Sequence, residues 1–160
     1  MIRVLRISCL VAALAVPAVG VLAFGTASPS TGASAEFKAG EKAVKAGAFD
    51  QAIEIFTALT AADATNADAF NYLAFSQRNL GQDDAAMANY AKALAIDPAH
   101  KGALAYQGEL FLKRGDLAGA QANLARLDYA CGRRCAERDS LQAAIERVKD
   151  GKAAWSAPAG

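Results

Sequence analysis

The sequence predicts an all-α fold, a solenoid of three helix-turn-helix units closed by a C-terminal capping helix. Three observations predict it. A 34-residue unit, 67–100, recurs on both sides of itself; apolar residues within it fall at helical spacing; and the run 136–149 is apolar along one side only. In the central unit Phe70, Leu73, Ala74 and Gln77 come close to the i, i+3, i+4, i+7 stripe of a helix face, Gly81 interrupts it, and Ala86, Tyr90, Ala93 and Leu94 resume it. Asp97-Pro98 then ends the second helix, because proline lacks the amide and clashes with the preceding turn.

Stepping 34 residues back places Gly40, Gly47, Ala52, Phe56 and Leu59 where the central unit has Ala74, Gly81, Ala86, Tyr90 and Ala93. The same step forward places Gly108, Gly115, Ala120, Leu124 and Leu127 there, so the size class survives both shifts. A fixed period of this length marks a helical array, since one two-helix unit cannot bury its apolar face alone. The helix pairs are expected at 36–46 and 49–62, at 66–80 and 83–96, and at 99–114 and 117–127. The first unit carries Ala64 where the second has Pro98.

Residues 1–35 have another character. Arg3 and Arg6 precede an uncharged apolar run, 7–24, and no acidic residue occurs before Glu36, which is the layout of an export signal. Cleavage is expected after Ala27 or after Ala35. The run is 18 residues long, and a membrane span needs roughly 20, so an uncleaved inner-membrane anchor is the alternative. Cys9 follows Arg6 too closely to read as a lipid-attachment site. The segment 26–35, rich in Ser, Thr, Gly and Ala, reads as a cleavage region or tether.

With 17 basic and 16 acidic residues, the chain lacks the basic face that nucleic acid requires. One histidine, His100, leaves little material for acid–base chemistry, and no Ser-His-Asp set, phosphate loop or carboxylate pair stands out. His100 itself opens the third unit and reads as a solvated helix cap.

Phe70, Leu73, Ala74, Gly81, Ala86, Tyr90, Ala93, Leu94 and Pro98, with weaker copies on either side, resemble the pattern of the tetratricopeptide repeat (TPR) family across roughly 33–134. The resemblance implies a fold and a mode of binding rather than a substrate. In that family the first helix of each pair lines a concave face. Carried over residue by residue, the groove takes Phe37, Glu41, Val44 and Lys45 from the first unit, Asp68, Asn71, Phe75, Arg78 and Asn79 from the second, and Ala105, Glu109, Leu112 and Lys113 from the third. Phe37 and Phe75 are then either its aromatic floor or ordinary core. TPR domains that capture chaperone tails hold the terminal carboxylate with Lys, Asn and Arg. The matching places here carry Phe37, Glu41, Tyr72, Gly102 and Tyr106, which speaks against that specificity.

Past Leu127 the repeat pattern fails, and Cys131-Gly132-Arg133-Arg134-Cys135 leads into the capping helix. Export makes a structural disulfide between Cys131 and Cys135 the expected state, with two reduced thiols or a thiol-disulfide redox pair as alternatives. The spacing is not the C-x-x-C of redox proteins, and two thiols with one distant histidine make no metal site. The segment 127–141 is similar to the tails of some small exported bacterial TPR proteins. In the capping helix Leu141, Ala144, Ile145 and Val148 share one face, as a terminal cap requires. The tail 151–160, with Trp155, is expected to be loose or to fold over the cap.

The expected organisation is therefore a signal or anchor with tether at 1–35, three TPR units at 36–134, a capping helix at 135–150 and a tail. Its expected role is that of a non-catalytic adaptor, without cofactor or metal, that binds a protein or peptide partner in the cell envelope. The expected location is the periplasm, or the inner membrane if 7–24 is retained as a tether.

Overall fold

The computed structural model describes residues 30–131 and 135–151, with side chains from residue 34 onward. Among the described residues seven helices follow one another: α1 Ser30–Lys45, α2 Phe49–Ala62, α3 Ala67–Asn79, α4 Asp83–Ile96, α5 Lys101–Lys113, α6 Leu117–Cys131 and α7 Ala136–Lys149. They form the expected array of three helix pairs and a closing helix. Two ends differ from expectation by more than two residues. Helix α1 starts at Ser30, inside the stretch read as a tether and directly after Pro29, and it runs through Gly32. Helix α6 runs on from 127 to Cys131, because Asp128, Tyr129 and Ala130 include no helix breaker and the next glycine is Gly132. The apolar run 7–24 and most of the tail lie outside the described residues; within them no helix is long and apolar enough to cross a membrane.

One turn is used three times. Gly47, Gly81 and Gly115 stand at φ of 72°, 75° and 76°, the left-handed region that glycine enters without penalty. Their amides reach back to the carbonyls of Val44, Arg78 and Leu112, while the next residues, Ala48, Gln82 and Asp116, donate to Ala43, Gln77 and Phe111. This paired closure is the Schellman motif, which satisfies the last carbonyls of α1, α3 and α5 and turns the chain into its partner helix.

The junctions between units repeat as well. Asp63 and Asp97 are extended C-caps, and each takes an amide two residues on, Thr65 at 2.8 Å and Ala99 at 2.9 Å. Asn66 and His100 then cap the following helices by accepting from Ala69 and Ala103. The aspartate makes this turn, so Ala64 serves where the second unit has Pro98. Hydrogen bonds to Thr65 hold the Asp63 carboxyl below its ordinary range.

Every helix packs on the next, and α1 touches α3, α3 touches α5 and α5 touches α7. No contact joins α2 to α4 or α4 to α6. The odd-numbered helices are thus drawn together and the even-numbered ones splayed apart, so the array curves with α1, α3, α5 and α7 on its inner side. The core lies between the layers. Phe56, Tyr90 and Leu127 are buried there, with Ala52, Ala86 and Ala120 where helices approach closely. Buried amides tie the pairs, Asn89 to Gln77 at 2.8 Å and Asn123 to Gln107 at 3.0 Å. Helix α7 behaves as the first helix of a fourth unit, burying Leu141, Ala144 and Ile145 against α5 and α6.

Candidate functional site

The inner side carries a row of rings. Phe37 of α1 meets Phe56 at 5.4 Å and Tyr72 of α3 at 5.5 Å, both edge-on, and Tyr72 lies stacked on Phe56. The Tyr72 hydroxyl donates to Glu41 Oε1 at 3.0 Å. Burial, then the hydrogen bond to Glu41, pushes this phenol up to about 12. One turn on, Phe75 meets Phe49 at 6.2 Å and Tyr106 of α5 at 4.9 Å. Phe37, Tyr72, Phe75 and Tyr106 are all half-buried, so each ring packs on a neighbour and still presents an edge.

Between these rings lies an ion pair. Arg78 Nη1 is 2.7 Å from Glu109 Oε2 and also donates to the Tyr106 carbonyl at 3.4 Å, and its guanidinium carbon sits 5.8 Å from the Phe75 centroid and 5.5 Å from that of Tyr106. Only 4% of the Arg78 side chain and 6% of the Glu109 side chain meet solvent. The second Glu109 oxygen accepts from Ser140 of α7 at 3.4 Å, so the capping helix completes the cluster. Burial raises the Tyr106 phenol, with the Glu109 charge adding to it.

The groove positions fall into three groups. Phe37, Glu41 and Phe75 are half-buried on the inner layer; Asn71, Arg78, Glu109 and Leu112 are nearly covered, Leu112 within the main core; Asn79 is exposed and donates to the Phe75 carbonyl. The Asn71 side chain lies against Gly102, and its buried Oδ1 has no hydrogen-bond partner. His100 caps α5 as expected but is not solvated: its side chain is 12% exposed, and Nε2 lies 2.9 Å from Asp68 Oδ1. Since Nδ1 accepts from Ala103, the proton sits on Nε2 and is donated to Asp68, joining α3 to α5.

Tyr72, Tyr106 and Ser140 escaped the groove assignment, yet a signal for them exists. Glu41 and Tyr72, Phe75 and Tyr106, Arg78 and Glu109, and Glu109 and Ser140 are each separated by 31 residues. That is one repeat less about one helical turn, the offset at which neighbouring inner helices meet.

No family model matches this chain, and no curated protein matches it. Solved structures do. The Yersinia enterocolitica type III secretion chaperone SycD, in complex with a peptide of the translocator YopD, superposes with a TM-score of 0.66 at 20% identity, over 75% of this chain and 94% of that one. The fold is that of the tetratricopeptide repeat. PcrH in complex with the chaperone-binding region of PopD gives a TM-score of 0.64 at 24% identity, covering 75% and 92% of the two chains. The first TPR of Spaghetti (RPAP3) bound to the HSP90 peptide SRMEEVD gives 0.64 at 20%, covering 73% and 93%.

The TPR frame also carries a second concavity, of about 400 Å³, away from the inner layer, lined by Pro98, Ala99, Ala125, Arg126, Tyr129 and Ala130. Arg126 there donates to the Pro98 carbonyl, and Tyr129 is 94% exposed. At the end of α6 the side chains of Cys131 and Cys135 come together with their Cα atoms 5.4 Å apart, within the span of a disulfide.

Proposed function

We propose that this chain is a non-catalytic TPR module of the cell envelope that holds an extended or helical peptide segment of a partner protein on its inner face. The observation that carries the reading is the row of half-buried rings, Phe37, Tyr72, Phe75 and Tyr106, running across α1, α3 and α5. Such a row offers the partly exposed apolar area that a peptide groove uses for its anchors. Solved structures of the same fold hold peptides of YopD, PopD and HSP90, which supports a peptide as the ligand class.

The test is a peptide library panned against the full-length protein, followed by titration of the selected peptides. Phe75→Ala is expected to weaken them at least tenfold. A wild-type protein that enriches no peptide, or a Phe75→Ala variant that binds as tightly as wild type, removes the reading.

Envelope placement rests on Arg3, Arg6 and the apolar run 7–24. A native N-terminus after Ala27 or Ala35 supports export with cleavage, Met1 supports an anchor, and recovery from the cytoplasm with Met1 intact refutes both. In that compartment Cys131 and Cys135 form a structural bridge between α6 and α7 rather than a redox pair, a reading supported by their spacing, which is not C-x-x-C, and by Cys135 being only 8% exposed. Alkylation before and after unfolding separates the two, because a structural bridge yields to dithiothreitol only once α7 has been released.

A further inference from the structure

A guanidinium on the inner face of a peptide groove is the group that seizes an acidic side chain or a terminal carboxylate, by paired charge-assisted hydrogen bonds. Arg78 stands in that place and is occupied. Glu109 takes Nη1 at 2.7 Å, the Tyr106 carbonyl shares it, and the rings of Phe75 and Tyr106 flank the guanidinium. Glu109 is itself held from behind by Ser140 of the capping helix. An incoming carboxylate has to displace Glu109, leaving two acids beside one cation in a site cut off from water, or stand next to an intact pair whose cation is already neutralised and covered from solvent. Farther along the face Glu41 adds a second acid, whose Oε1 accepts from Tyr72.

We propose that Glu109 is a specificity determinant of the inner face. It locks Arg78 internally, so that the face takes peptide segments with an aliphatic or aromatic anchor and rejects those carrying a carboxylate at the Phe75–Tyr106 niche. The inference rests on the peptide-binding reading above and adds the partner's chemistry to it. Ser140 gives the capping helix a share in that selectivity, because it orients Glu109 toward Arg78.

The experiment pans one random peptide library against full-length wild type, Glu109→Gln and the double variant Arg78→Gln/Glu109→Gln, and titrates each with the acidic heptapeptide SRMEEVD. Wild type is expected to enrich aromatic and aliphatic residues and to deplete Asp and Glu at least threefold relative to the input. In Glu109→Gln the released Arg78 restores or enriches acids and tightens SRMEEVD at least tenfold, an effect that added salt weakens. The double variant, with the cation gone, shows no such gain. A wild-type pool as acidic as the input, or equal affinity of wild type and Glu109→Gln for SRMEEVD, overturns the proposal. Should Glu109→Gln melt below the assay temperature, the wild-type pool alone decides. A wild type that enriches nothing at all is a different result, the failure of the groove reading itself.

Discussion

Arg78 is read from sequence as a groove cation, and the structure gives it a structural duty as well. Buried ion pairs contribute little net stability when both partners are present, yet removing one leaves an uncompensated charge. Arg78→Ala is therefore expected to lose about 3–5 kcal/mol in urea denaturation, and Arg78→Met/Glu109→Leu far less than that single change. Comparable losses in both variants contradict this account. Gly40 gives a second prediction at this scale. A Cβ there stands 2.6 Å from the tip of the buried Phe56 ring, which is packed against Phe37 and Tyr72. Alanine favours a helix over glycine by about 1 kcal/mol, whereas overpacking costs typically 1–3 kcal/mol. Gly40→Ala is expected to lower the melting temperature, and a rise shows that the ring gives way.

Among the elements, the helices were legible because each is bounded by a physical signal: the Gly47, Gly81 and Gly115 turns, and the Asp63 and Asp97 caps. The extensions of α1 and α6 were not, since α1 runs on through Gly32 and α6 through Asp128, Tyr129 and Ala130, where no residue marks a boundary at the expected place. The ion pair was hidden for another reason. A polar residue on a helix face looks alike whether it meets solvent or a partner 31 positions on, and the 31-residue offset becomes visible only once the curvature of the array is known. His100 shows the same limit, its capping role readable from position but its tie to Asp68 not. Losing both contacts, His100→Ala is expected to cost about 1 kcal/mol, the usual worth of an N-cap. Asn66 performs the same capping in the preceding junction, so His100→Asn is expected to recover most of the loss; no recovery in denaturant titration shows that Asp68 carries the effect.

Across the whole molecule, the units share one inner layer and one core, and the tyrosines of both couple stability to alkaline pH. Burial raises the phenols of Tyr72, Tyr90 and Tyr106, that of Tyr72 to about 12. A group with a raised folded-state value favours the fold while protonated. Its contribution is full below the unfolded phenol value of about 10 and is lost as pH climbs through the folded value. Stability is thus expected to fall between about pH 10 and 12 with a steepening slope, each fully buried tyrosine adding about 1.4 kcal/mol per pH unit. Tyr90 isolates the effect, because it is wholly buried and its hydroxyl has no hydrogen-bond partner. The equivalent place in the first unit is held by Phe56, also fully buried, so the frame accepts a ring without a hydroxyl. Removing an unsatisfied buried polar atom recovers about 1–3 kcal/mol of desolvation. Tyr90→Phe is accordingly expected to be as stable as wild type or up to about 2 kcal/mol more stable at neutral pH, and to hold that advantage more firmly at pH 11. Urea titrations at the two pH values, read beside the phenolate absorbance, measure both effects. A variant that is less stable at neutral pH means that the hydroxyl has a partner, and an unchanged alkaline slope means that Tyr90 ionises at the same pH in the folded and the unfolded chain.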